Sequence, residues 1–203
     1  RKIGEGAILA VLTGGDVSVD AGLQALKTVQ NQGWPVTAVL SQAAERIVGI
    51  ERVKAVLGAG SVVTGADAGA AMQAVSRAAL IVVPVLSLAT AAKVALLAPD
   101  TPVSNLLVHA LMTGRKVILA RDSVICGCTP RETVPFAIKR KIEEYINTLR
   151  SYGAVVTDAE HLGREMAKAL EGKKPVPAGG TMTASAAIQM ASQVVSTKAS
   201  VAA

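Results

Sequence analysis

Four short stretches carry side chains able to do chemistry: "TGGD" at residues 13–16, "SQAAE" at 41–45, "SLAT" at 87–90 and "ARDS" at 120–123. Gly14 and Gly15 permit a tight turn whose backbone N–H groups face an anion, beside the positive N-terminus of the helix that follows. Ser41, Ser87 and Thr90 add hydroxyl donors, and Arg121 adds a charged fork matched to a phosphate monoester. Asp16 and Asp20 act the other way, since a carboxylate repels a phosphate. The first turn is therefore expected either to contact a sugar hydroxyl or to use Asp16 as a helix cap. A fifth stretch, "CGC" at 126–128, holds the only two cysteines. They are too few for a secreted disulfide framework or a four-ligand zinc site, which leaves two small residues in a core loop or a redox thiol pair.

The elements that position these residues follow from hydrophobic period. Short β-branched runs alternate with segments of helical spacing from "GAILAVLT" at residue 6 to "DAEHLGREMAKALEG" at 158–172. Val19, Leu23, Leu26 and Val29 recur at helical spacing, and Gly33 and Pro35 stop that helix. "ALIVVPV" at 79–85 reads as the most buried strand, and Asp67 and Asp158 stand where helices open. Regular alternation predicts an α/β fold of Rossmann-like, doubly wound type, with a mostly parallel sheet covered on both faces. Such a sheet places a binding crevice at the carboxyl ends of the strands, where the four stretches fall.

The chain has 203 residues, enough for one sizeable core, and the strand–helix pattern ends near residue 171. Residues 1–171 read as one domain, 172–180 as a Pro/Gly linker and 181–203 as an amphipathic tail. With 51% hydrophobic and 18% charged residues the chain is expected to fold over most of its length. Aromatics are only 2%, so a planar ligand would be held by aliphatic side chains and backbone. The formal charge of +6 is dispersed, and its densest run, "KRKIEE", sits beside its own counter-charges, which argues against nucleic acid. No apolar stretch is long enough for a membrane span and the start "RKIGEG" is not signal-like, so a cytoplasmic location is expected.

The ordered set "VLTGGD", "VLSQAAERI", "VVPVLSLATAAKVA", "NLL" and "ILARDS" resembles a flavoprotein superfamily. It includes homo-oligomeric flavin-containing cysteine decarboxylases, flavin prenyltransferases and a component of dipicolinate synthase. The resemblance covers about residues 6–125. It implies FMN as cofactor, held by Gly14, Gly15, Asp16, Ser41, Ser87, Thr90 and Arg121, with the phosphate near Ser41, Ser87, Thr90 and Arg121. It also implies a trimer or a multiple of trimers, in which Cys126 and Cys128 gathered around a three-fold axis would suit a metal or iron–sulfur cluster.

Two departures bear on activity. The decarboxylases carry an Asn directly before the fourth-turn Thr, where this chain has Ala89, and Ser104 stands where an Asp often precedes "NLL". His109 and His161 fall in helix-like runs and match no active-site histidine. These departures favour a redox or electron-transfer flavoprotein over a flavin-dependent decarboxylase or a non-catalytic assembly subunit. The linker and small-residue tail resemble peptides that direct enzymes into bacterial microcompartments. That likeness implies a shell protein or redox enzyme as partner and the compartment lumen as location; a terminal helix packing on its own or a neighbouring subunit is the alternative.

Overall fold

The computed structural model describes residues 6–64 and 68–175. Six parallel strands form one sheet in the order β3-β2-β1-β4-β5-β6. They are β1 (Ile8–Leu12), β2 (Val36–Leu40), β3 (Val62–Val63), β4 (Leu80–Val85), β5 (Val117–Ala120) and β6 (Val155–Thr157). β1 and β4, at the centre, are buried along their whole length. Both of their faces are covered, and their unbroken apolar sequence follows from that. One face packs α1 (Val19–Asn31), α3 (Ile50–Leu57) and α8 (Ala159–Leu170) through Leu23, Leu26, Val53, Leu162 and Met166. The other packs α4 (Ala68–Val75), α5 (Leu88–Ala95), α6 (Pro102–Met112) and α7 (Phe136–Ser151) through Val75, Val94, Leu106, Leu107 and Ile146. The doubly wound expectation holds, and the strand order reverses between β1 and β4, where such sheets open a crevice.

Pro84, next to last in the central strand β4, has a local cause. The β1–β4 register shifts between Ala10 and Leu12, so that Leu12 pairs with Val85, and a residue without a backbone N–H is tolerated at such a bulge. Gly22 brings α1 against the same place, where a Cβ would stand 2.8 Å from the Pro84 carbonyl oxygen. The bulge sets the path of the chain as it leaves β4 toward Ser87.

The segment after β2 begins with the three-residue α2 (Gln42–Ala44). It widens into a π-type turn (Glu45–Gly49) and then enters α3. Asp158 stands at the start of α8 as expected, but its side chain does not cap the helix. Asp122 Oδ2, from the loop after β5, accepts the Ala159 N–H at 2.8 Å instead. Asp67, the expected start of α4, and the tail at 181–203 lie outside the described residues. Among the described residues no helix is long and apolar enough to cross a membrane.

Candidate functional site

The ends of β1, β2 and β4 are tied together before any ligand is considered. Thr13, fully buried, donates its hydroxyl to Val85 O at 2.7 Å and accepts the Ser87 N–H at 2.7 Å. Gly14 follows, and a Cβ there would stand 2.6 Å from the Ala43 Cβ, so only glycine lets the first turn lie against the start of α2. Ser41 caps α2, its Oγ accepting the Ala44 N–H at 3.1 Å. Ser87 caps α5, its Oγ accepting the Thr90 N–H at 3.4 Å and donating to Thr90 Oγ1 at 3.1 Å.

Gly14, Ser41, Ser87 and Thr90 line one cleft of about 510 Å³. Lys93, one helical turn beyond Thr90, brings an ammonium group to its wall. That ammonium pairs with Asp100 at 2.9 Å, and the hydrogen bond from Lys93 holds the Asp100 carboxyl below the usual range. A second opening of about 700 Å³ adjoins the first, sharing Gly14, Ala43, Ser87 and Ala89. Its further wall includes Asp16, Ile47, Leu88, Ile138 and Cys126. The first opening is rich in hydroxyl groups and is lined by two cationic residues, Arg46 and Lys93, and one acidic residue, Glu45; the second is mostly apolar.

The other expected residues fall elsewhere. Gly15 is buried, and a Cβ would stand 2.4 Å from the Ser123 Cβ. Its N–H donates to Thr13 O at 2.8 Å rather than toward the cleft. Ser123 continues the stitching, for its Oγ accepts the Val17 N–H at 2.8 Å and donates to Val17 O at 2.7 Å. Asp16 does not cap α1, which opens instead at Ser18 in a left-handed conformation (φ 57°). The Asp16 carboxylate turns to the loop after β5, accepting the Gly127 N–H at 3.1 Å.

Arg121 lies apart from Ser41, Ser87 and Thr90. Its guanidinium pairs with Glu143 of α7 and lines a separate depression with Phe136, Lys139 and Arg140. That hydrogen bond lowers the Glu143 carboxyl below the usual glutamate range. Sequence reasoning misses Lys93, although its spacing of three from Thr90 places both on one side of α5. Ser104 is buried in a reciprocal cap with Thr101 at the start of α6. His109 and His161 are both exposed, and among the described residues no three His, Cys, Asp or Glu side chains are grouped to hold a metal.

No family model matches the chain, and no curated protein matches it in sequence. Solved structures do. TvaF, an FMN-dependent cysteine decarboxylase from thioviridamide biosynthesis, is 22% identical with a TM-score of 0.61, over 82% of this chain and 98% of its own. Apo DmrB of Burkholderia xenovorans, described as a cubic protein cage for redox transfer, is 17% identical with a TM-score of 0.63, over 83% and 97%. A dodecameric FMN-dependent UbiX-like decarboxylase from Escherichia coli O157:H7 is 20% identical with a TM-score of 0.59, over 81% and 93%. The structural neighbours thus come from the flavin-containing superfamily that the sequence resembles. At these identities the likeness establishes the architecture: this chain has the parallel, doubly wound fold of the FMN-dependent decarboxylases and of the redox-transfer cage protein.

Proposed function

We propose that the paired openings bind FMN and that the protein is a flavoprotein of redox or electron-transfer type. The observation that carries this reading is the meeting of Ser41, Ser87, Thr90 and Lys93 in one cleft that adjoins an apolar one. The donor set fits a phosphate monoester. The hydroxyl groups of Ser41, Ser87 and Thr90, the cations of Arg46 and of Lys93, the latter shared with Asp100, and the N-terminus of the eight-residue α5 favour an anion, against one carboxylate, Glu45, on the same wall. The adjoining opening, walled by Ile47, Leu88, Ala89 and Ile138, fits a flat apolar ring held without aromatic stacking. Bound FMN would supply reversible one- and two-electron chemistry.

In this assignment Ser41, Ser87, Thr90 and Lys93 hold the phosphate. Gly14 lets the first turn lie against the start of α2 at the cleft wall, and Asp16 lines the adjoining opening rather than the phosphate end. Gly15 and Arg121 act through the fold, the first by packing against Ser123 and the second by fixing α7. Ala89 lines both openings and has no donor or acceptor on its side chain, which favours electron transfer over decarboxylation.

A trimer or a multiple of trimers belongs to the same reading; Phe136, Met112 and Leu96, at the ends of three helices, are 79%, 78% and 66% exposed. The neighbours described as a dodecamer and a cage support assembly of the same kind. A microcompartment lumen as location, with a shell protein or redox enzyme as partner, rests on the tail's sequence alone.

The test is spectroscopic. The purified protein should be yellow and release FMN on denaturation; a colourless protein that takes up no added FMN overturns the reading. Thr90→Val removes one charge-assisted donor, worth about 1.5–3 kcal/mol, so FMN affinity should fall roughly ten- to hundredfold.

A further inference from the structure

The Cys126–Gly127–Cys128 loop has no part in binding the phosphate, yet Asp16 holds it at the flavin end of the cleft. Asp16 accepts the Gly127 N–H at 3.1 Å, and its Oδ2 lies 3.5 Å from Cys126 Sγ. A Cβ on Gly127 would stand 3.3 Å from both Asp16 Oδ2 and Val17 Cγ2, so the loop sits close against the first turn. The two cysteine Cα atoms are 5.3 Å apart, within disulfide range, and the sulfurs are in bonding contact. The Cys128 N–H donates to Cys126 Sγ at 3.3 Å and fixes that sulfur in place. Cys126 lines the apolar opening together with Ala89 and Leu88; Cys128 does not line it, and both cysteines are exposed. Buried structural disulfides resist reduction; exposed ones are the labile class.

We infer that Cys126 and Cys128 form a dithiol–disulfide centre that exchanges an electron pair with the flavin; this rests on the FMN reading above. In the reducing direction the S–S bond breaks as it takes up two electrons and one proton. Cys126 becomes a thiol that donates to Asp16 Oδ2, and Cys128 becomes a solvated thiolate. Both electrons come from the two-electron-reduced flavin anion, whose return to oxidised FMN releases the proton, so charge and hydrogen balance. The reverse reaction closes the disulfide and reduces the flavin. Both cysteines are exposed and Cys126 also lines the apolar opening, so the pair stands at the rim where the cleft meets the surface.

The test uses the full chain loaded with FMN and reduced anaerobically by light with EDTA as donor, with apoprotein treated in parallel. Reduced wild-type protein should take up about four electrons per flavin, against about two for Cys126→Ser or Cys128→Ser, because each centre is a two-electron couple. Alkylation followed by mass spectrometry should label both cysteines after flavin reduction and neither before it, and should leave the apoprotein unlabelled. A yellow protein that takes up only about two electrons per flavin and whose labelling does not change overturns the coupling while the flavin site stands. Equal labelling of illuminated apoprotein and holoprotein overturns it too. A protein that holds no FMN fails at the first step and removes both readings together.

Discussion

The Thr13 hydroxyl and the Ser123 hydroxyl each make two bonds to backbone groups far away in the chain, and between them they hold the mouth of the sheet. Gly15 lies in the gap that these contacts close. Its substitution by Ala places a Cβ 2.4 Å from the Ser123 Cβ and 2.8 Å from Val85 Cγ1, neither of which is the free end of a long side chain. Gly15→Ala is therefore expected to lower stability by about 1–3 kcal/mol, as overpacking in a close-packed interior does. Urea unfolding should show a reduced midpoint with an unchanged slope, and a wild-type midpoint would refute the packing role. From sequence "TGGD" reads as a cradle of free N–H groups. In the structure the Gly15 N–H goes to Thr13 O and the Val17 N–H to Ser123, 106 residues on. A pairing of that range leaves no trace in local spacing, whereas the roles of Ser41 and Ser87 as helix caps are local and can be read directly.

The helices show the same division between local and distant causes. Strand and helix alternation is legible because period survives in the sequence: α1 lies where Val19, Leu23, Leu26 and Val29 put it, and α8 opens after Asp158 as read. The cap of α8 is not, because Asp122 reaches it across the end of the sheet from the loop after β5. Asp122→Ala should thus cost about 0.5–2 kcal/mol, the usual loss for an N-cap, while Asp158→Ala should cost clearly less. Denaturant midpoints of the two variants decide the assignment, and a larger loss for Asp158→Ala would reverse it. α7 is joined to β5 by the Arg121–Glu143 pair. The Glu143 carboxyl is lowered by the Arg121 hydrogen bond, so its contribution is present above the ordinary glutamate value and disappears as pH falls through the lowered one. Wild-type stability should fall over that acidic window, and Glu143→Gln should flatten the slope there. Both side chains are partly exposed to solvent, so the effect at neutral pH should stay within about 1 kcal/mol.

At the scale of the whole molecule, the strand order makes the site. With β1 beside β4 at the point where the winding reverses, the turns carrying Gly14 and Ser87 become neighbours, and β2 adds Ser41. That much follows from alternation and the crevice rule. The separation of Arg121 does not, because its direction depends on where α7 packs, and sequence spacing carries no information on that. A cleft built from three strand ends and three helix starts should report ligand on the stability of the entire sheet. FMN binds only the folded chain in this reading, so at a free concentration of one hundred times its Kd it should add about 2.7 kcal/mol. For a domain of this size each kcal/mol moves the melting temperature by about 2–4 °C, so Tm should rise by about 5–10 °C. For Thr90→Val, with affinity down roughly ten- to hundredfold, the same FMN concentration leaves about 0.4–1.4 kcal/mol and a rise of about 1–5 °C. Each shift is measured against the same variant without FMN, which removes any change in intrinsic stability. Equal shifts for wild type and variant would place the ligand away from α5, and no shift in either would mean that the cleft does not hold FMN.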